Sequence, residues 1–299
     1  MIRVGPAGWS YPDWDGRVYP RHRPHGFHPL SFLARTFDTI EINSTFYAMP
    51  RAENAARWAA LVADRPQFRF FAKLHRDFTH LPEALESRSG GGGAWEDKAR
   101  QFQEGLAPLV RARRLAGVLA QFPISFLHGN TEVRRLGRLR ALFPDVPMIL
   151  EVRHESWFAR PSVDQIRGLS YSLAYVDLPP AWNHPPDWHE PTGPIGYLRL
   201  HGRNSHEWFR SDAERDDKYD YLYRETELDA LSRKAKRIAA QHDETAVVTN
   251  NHFSGQAVAN AIDLMFLLHG VPVATAPEIV ESFPHLKDRT RIEGQQPLF

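Results

Sequence analysis

The sequence predicts an α/β protein, a single (β/α)8 barrel of the TIM type. Two patterns and one number predict it. Short runs of strand length recur eight times, and most are separated by stretches of helical periodicity. That alternation predicts a parallel sheet, and eight is the strand number that closes such a barrel. The length of 299 residues would allow two domains, but one barrel routinely uses it all.

In chain order the predicted strands are 2–9, 39–46, 68–75, 116–122, 147–153, 172–177, 195–201 and 245–250. Between them lie predicted helices. A short one covers 29–37, and 52–63 puts Trp58, Leu61 and Val62 on one side. Helix 95–113 ends among Arg111, Arg113 and Arg114, which suits the negative end of the helix dipole. Helix 131–143 starts at the cap residue Thr131 and stops before Pro144. Helix 162–169 is short, and 225–241 is charged and solvated. Helix 254–269 takes Ser254 as cap and Gly270 as its C′ residue. Residues 177–194 carry too many prolines for a helix and predict an irregular loop between strands six and seven. Trp182 and Trp188 in that loop are candidates for a lid. Residues 83–93, ending in Gly90-Gly91-Gly92-Gly93, read as a mobile loop after strand three. The barrel is expected to span 1–290, with a flexible tail at 291–299.

Composition narrows the chemistry. There is no cysteine, so disulfides, thiolate zinc sites, iron–sulfur clusters and cysteine nucleophiles are excluded. Lys plus Arg is 37 against 36 for Asp plus Glu, a net charge of +1. A generally basic nucleic-acid coat is excluded, though a local basic cleft is not. No apolar run reaches membrane-spanning length, and the start of the chain lacks the apolar core of a signal peptide. A cytoplasmic protein with no membrane partner is expected.

Strand side chains alternate in direction. Glu41 and Asn43 share a face opposite Ile40 and Ile42. By the same parity Lys73, Glu151 with Arg153, and Arg199 with His201 point away from their apolar neighbours. Gln121, Asp177 and Asn250 fall at strand ends. One face must pack on apolar helices, so this charged set points into the barrel, late in each strand. The C-terminal mouth is where such barrels build their sites. Glu41, Glu151 and Asp177 supply three negative charges, and Lys73, Arg153 and Arg199 three positive. A structural ion network is the alternative use of these residues.

Several of these residues sit in recognisable stretches. Gly8-Trp9-Ser10-Tyr11, Glu41-Ile42-Asn43-Ser44-Thr45-Phe46-Tyr47, Phe70-Phe71-Ala72-Lys73 and Gln121-Phe122-Pro123 occur in order. Glu151-Val152-Arg153 with Trp157, Leu198-Arg199-Leu200-His201-Gly202 and Asn250-Asn251-His252 follow them. This series resembles the YecE-like family, also known as domain of unknown function 72, over essentially the whole chain. The resemblance implies a TIM-type barrel and no particular reaction.

The candidate catalytic residues are therefore Glu41, Glu151, Lys73, His201 and Asp177. The carboxylates can accept and donate protons, while Lys73, Arg153 and Arg199 can bind phosphate. Trp9, Tyr11, Phe46 and Tyr47 could stack on a base or sugar. Asn43, Gln121, Asn250, Asn251 and His252 add polar contacts for substrate. The leading expectation is a hydrolase for a nucleic-acid or phosphorylated substrate. A carbohydrate-active or metal-dependent, sugar-isomerase-like enzyme is the alternative. No cofactor is predicted. If a divalent metal binds, Glu151, Asp177 and His201 are its ligands, although the neighbouring cations would repel it. The phosphate-loop, dinucleotide and nucleophile-elbow glycine motifs are absent. Gln295-x-x-Leu298-Phe299 resembles a bacterial sliding-clamp-binding peptide, a Gln amide with two apolar anchors. It nominates a sliding clamp as partner, and a non-catalytic clamp adaptor as a third class of function.

Overall fold

The computed structural model describes residues 1–80, 94–208, 210, 212 and 215–292. The loop predicted at 83–93 and the clamp motif at Gln295, Leu298 and Phe299 lie outside the described residues. The fold is mixed α/β. Its strands are β1 (Ile2–Pro6), β2 (Thr39–Ile42), β3 (Arg69–Lys73), β4 (Leu115–Gln121) and β5 (Met148–Glu151). After them come β6 (Tyr171–Leu173), β7 (Tyr175–Asp177), β8 (Ile195–Leu200), β9 (Glu244–Thr249), β10 (Val273–Thr275) and β11 (Thr290–Ile292). All of the strand pairs are parallel.

The ladders form a five-stranded sheet, β2-β3-β4-β5-β6, a four-stranded sheet, β1-β9-β8-β7, and the small pair β10-β11. The sequence predicts one ring of eight where the hydrogen bonds form two sheets. The physical reason lies at two seams. The sixth predicted strand is divided at Ala174, so that β6 pairs with β5 and β7 with β8. Ala174 itself still donates to Leu150 O at 2.9 Å. At the other seam a single bridge joins Ala7 to Glu41, and Gly8 N–H donates to Glu41 O at 2.8 Å.

Alternation along the strands produces two apolar cores. The larger one joins Val4, Ile40, Phe70, Val118, Leu150 and Leu198 to the helices. The smaller contains Ala7, Phe71, Leu119, Ile149, Ala174, Tyr197 and Val248. These come from the opposite faces of successive strands, as period two requires. The flanking helices include Ala52–Leu61, Ala94–Arg111, Asn130–Leu142, Arg160–Gly168, Glu225–Ala239 and Gln256–His269. None of the described helices is long and apolar enough to cross a membrane.

Three local predictions need correction. β2 ends at Ile42, because Asn43 adopts helical angles and Ser44–Tyr47 forms a helical turn. The last long helix starts at Gln256, since Ser254 and Gly255 both take positive φ and turn the chain first. Residues 291 and 292, predicted as tail, complete β11. Residues 178–194 carry neither helix nor strand, as their prolines dictate. Trp188 lies under the Arg237 guanidinium at 3.4 Å and Tyr175 stacks on His189 at 3.9 Å, so the end of this loop is anchored on the body, while Trp182 is exposed.

The seam between β1 and β2 depends on Gly5. A Cβ there would lie 1.9 Å from the backbone oxygen of Thr39. Gly5→Ala should therefore cost about 3 kcal/mol or more, since backbone cannot yield as a side chain can. At Gly168 nothing lies within 4 Å of an added carbon, and Gly168→Ala should change stability by less than about 1 kcal/mol. Thermal melts of the two variants check this; equal melting temperatures would contradict the close approach.

Candidate functional site

The sequence after β1 turns sharply at Gly8, whose φ is +82°. That turn lets Tyr11 Oη donate back to Ala7 O at 2.8 Å. Trp9 and Tyr11 thereby form one wall of an open cavity of 570 Å³, a size suited to a small-molecule ligand. Asn43, Ser44 and Tyr47, from the turn after β2, form a second wall. Trp58 meets Trp9 edge to face at 5.4 Å. Across the cavity His252 stacks on Tyr11 at 4.6 Å and packs against Tyr219 at 5.0 Å. Lys73, Arg199 and Asn250 reach the same space from the ends of β3, β8 and β9.

Behind the cavity lies a buried charge cluster. Arg199 is 1% exposed, and Glu41 and Glu151 are fully buried. Arg199 Nε and Nη2 donate to the two oxygens of Glu41 at 2.9 and 2.7 Å. Its Nη1 donates to Glu151 Oε2 at 3.1 Å. Tyr197 Oη donates to Glu41 Oε2 at 2.7 Å, and Arg153 Nη2 donates to Glu151 Oε1 at 3.0 Å. Burial disfavours the Glu151 anion, but the Arg199 and Arg153 charges and a hydrogen bond from His201 outweigh it and hold its pKa well below the ordinary 4.5. Burial likewise opposes the Arg199 charge, and Glu41 and Glu151 overcome it.

The network fixes the His201 tautomer. Asn250 Oδ1 accepts from Arg199 at 3.2 Å, so its amide nitrogen faces His201 Nδ1, also at 3.2 Å. With Nδ1 as the acceptor, Nε2–H donates to Glu151 at 3.1 Å, and the contact of Arg199 Nη1 with the same nitrogen at 3.3 Å is then not a hydrogen bond. Burial pushes the imidazole down to about 3, so it is neutral.

Lys73 differs from the rest. Among the described residues it has no ion-pair partner, and its Nζ lies 4.1 Å from the Phe46 ring centroid. Burial lowers its pKa, and Arg199 and then Arg153 add to the effect, while Glu41 and Glu151 oppose it. The result is about 7, from an ordinary 10.5.

The sequence-predicted residues thus divide. Trp9, Tyr11, Asn43, Tyr47, Lys73, Arg199, Asn250 and His252 line the cavity. Glu41, Glu151, His201 and Arg153 stand behind it, tied to one another. Phe46 supports Lys73. Gln121 is buried and donates to Phe122 O at 3.0 Å, away from the cavity. Asn251 donates to Tyr221 O at 2.8 Å and to Asn260 at 2.9 Å, which makes it a structural clip. Asp177 does not join the cluster. It accepts from Arg203 Nη2 and from Tyr223 Oη, each at 2.6 Å, and lines a separate cavity of 350 Å³ under the Pro-rich loop. Glu151, Asp177 and His201 consequently do not converge as a metal site, and no group of three such donors does among the described residues. Sequence reasoning missed Asn54, Trp58 and Tyr219 in the cavity wall, together with the carboxylates of Asp13 and Asp216. The Asn54–Trp58 pair at helical spacing was the available signal.

Fold and site together define a mixed α/β protein of parallel strands with one aromatic-walled cavity over a buried ion cluster. The chain belongs to the family described as protein of unknown function DUF72, whose model matches residues 3–281. It is 28% identical over 301 residues to UPF0759 protein YunF of Bacillus subtilis strain 168, covering 95% of this chain and all of that one. UPF0759 protein YecE of Escherichia coli K12 is 30% identical over 172 residues, covering 56% of this chain and 55% of YecE. Among solved structures, a DUF72 family protein of Thermotoga maritima MSB8 superposes with a TM-score of 0.74 at 32% identity, covering 89% and 97% of the two chains. One from Enterococcus faecalis V583 gives 0.76 at 26% identity, covering 90% and 95%.

A histidine whose pKa is lower in the fold than in the unfolded chain contributes fully above the unfolded value. That contribution is lost as pH falls. For His201 the window runs from 6.5 down toward about 3. The wild type should therefore lose stability through this window, and His201→Gln should lose less of it. The difference in slope should approach about 1.4 kcal/mol per pH unit. Denaturant titrations at several pH values measure it; parallel curves would show that His201 is not held neutral.

Proposed function

We propose that the chain is a closed (β/α)8 barrel enzyme that acts on a compact, hydroxylated or phosphorylated ring-bearing substrate, with Lys73 as the acting group. Closure is supported by the continuity of β6 and β7 through Ala174, by the bridge from Ala7 to Glu41, and by an inner apolar core drawn from successive strands. With β6 and β7 counted as one, β1 to β9 are eight strands around that core.

The observation that carries the functional reading is an unpaired amine, Lys73, in an aromatic-walled cavity. With a pKa near 7 about half of it is free base at neutral pH, which suits a proton acceptor. Glu41 and Glu151 are poor candidates for that role. Their oxygens are taken by Arg199, Tyr197, Arg153 and His201, and neither lines the cavity. The two carboxylates are better read as the counter-charge that neutralises and aims Arg199. The reaction class remains hydrolysis or elimination on a phosphorylated, sugar-like or nucleotide substrate, with the base moved from Glu41 to Lys73. Aromatic walls with amide groups favour the carbohydrate alternative over the metal-dependent one. Recruitment to a sliding clamp stays a separate proposal, supported by the tail sequence alone. Deletion of 293–299 should abolish binding to purified clamp, and unchanged binding would end it.

Lys73 can be tested before any substrate is known. Its acetylation by acetic anhydride should rise with pH around a midpoint of about 7. The charged groups acting on it are Arg199, Glu41, Glu151 and Arg153, with His80 nearby. Peptide mass spectrometry reads the midpoint, and one near the ordinary 10.5 would sink the proposed role. Quenching of Trp9 and Trp58 fluorescence by sugar phosphates or nucleotides then sorts the substrate class.

A further inference from the structure

This inference rests on Lys73 as the acting amine and deepens it. We propose that Lys73 is a covalent catalyst, its Nζ attacking the carbonyl carbon of the open-chain form of a hydroxylated, sugar-like substrate and holding it as an imine.

The geometry around the amine leaves it open to a ligand. Nζ lies 4.1 Å from the Phe46 ring centroid, a contact that holds the side chain in place, and Lys73 lines the open cavity without an ion-pair partner among the described residues. The acids in the cluster are committed elsewhere. Glu41 gives both oxygens to Arg199 and Tyr197, and Glu151 serves Arg199, Arg153 and His201. Among the described residues no carboxylate forms an ion pair with Lys73, although Asp13 and Asp216 line the same cavity. The Arg199 guanidinium lines the same cavity and repels a second cation. A desolvated lysine beside another cation is the arrangement that activates an amine for carbonyl addition. Arg199 is held by Glu41 from a second direction, so it keeps its place when substrate arrives.

The walls indicate the substrate class. Trp9, Tyr11 and Trp58 offer ring faces and edges to C–H groups, while Asn43 and Asn250 offer amides to hydroxyls. Asn43 Oδ1 is buried and accepts no hydrogen bond among the described residues, so a hydroxyl donor on the substrate would satisfy it.

The step balances without a redox partner. The amine lone pair forms the C–N bond, and the carbonyl π pair moves to oxygen, which takes a proton. That proton is one of the two N–H hydrogens, and the other leaves with the hydroxyl as water, giving C=N. Protonation of the nitrogen then makes an iminium that draws electrons from an adjacent C–H or C–C bond. The open cavity lets solvent supply and accept these protons.

The test traps the bond. The full-length protein is incubated near neutral pH with glycolaldehyde or dihydroxyacetone, reduced with sodium borohydride, and digested for peptide mass spectrometry. Lys98, which donates to Asp77 at 2.6 Å, is the internal reference. Reduced adduct should accumulate on Lys73 at least about tenfold faster than on Lys98, whose amine is held by a carboxylate. Lys73→Gln should lose it, and a cooperative thermal melt of that variant shows that the fold is retained. Equal labelling of all lysines would overturn the proposal. Acetylation of Lys73 with a midpoint near 7 but no reducible adduct would also overturn it, and would leave Lys73 as a base. Failure of both reactions would remove both readings together.

Discussion

The Arg199 guanidinium between two buried carboxylates is the interaction on which the rest of the site depends. A single buried charge would cost several kcal/mol, and the geometry here offsets that cost with a bidentate contact to Glu41 and a further bond to Glu151. Glu41 lies on β2 and Glu151 on β5, both in the five-stranded sheet, whereas Arg199 lies on β8 in the four-stranded one. The ion cluster therefore joins the two sheets across their shared interior. Where the backbone ladder is thin, at the Ala7–Glu41 bridge, side-chain charge supplies the connection. Removing either acid would leave a guanidinium uncompensated in the core, which typically costs about 3–5 kcal/mol.

That arrangement also explains why one lysine is different. Two arginines and two carboxylates nearly cancel, and His201 adds no charge because it is neutral. Lys73 enters a region whose positive charge is already provided, so a further proton on it has no carboxylate partner among the described residues and only the Phe46 ring beside it. Its lowered pKa follows from desolvation first and from Arg199 second. The cluster and the lysine are thus one electrostatic system. The cluster pairs its charges internally, and the lysine is the cation beside it that burial and Arg199 push toward the free amine.

Much of this was legible in the sequence because strand parity is strict. Knowing that Ile40 and Ile42 face helices suffices to turn Glu41 inward, and the same step works for Lys73, Glu151 and Arg199. Parity does not say which inward residues meet. Asp177 has the right parity, but Arg203 and Tyr223 capture it on the far side of β7, from a segment with no periodicity to read. Asn251 sits one residue beyond Asn250 and so turns to Tyr221 and Asn260. The division at Ala174 was hidden because a local change of pairing partner leaves hydrophobic alternation intact. β10 and β11 are three residues each, too short for a period to register. Trp58 read as core because a helix places aromatic residues on its buried face, and only proximity to Trp9 reveals the cavity it borders.

The division of labour within the site has a consequence for specificity. Charged groups sit on strand ends, whose positions the sheets fix, and most of the ring walls come from connecting segments after β1, β2 and β8. Changes in those segments alter which ring or hydroxyl pattern fits without disturbing the ion cluster. Changes in the cluster instead shift the Lys73 pKa, because Arg199 acts on it directly. Substrate preference and amine reactivity can therefore vary separately. Arg199 is the exception, since it touches both the cavity and the two acids that hold it. A substitution there would change binding, reactivity and stability at once.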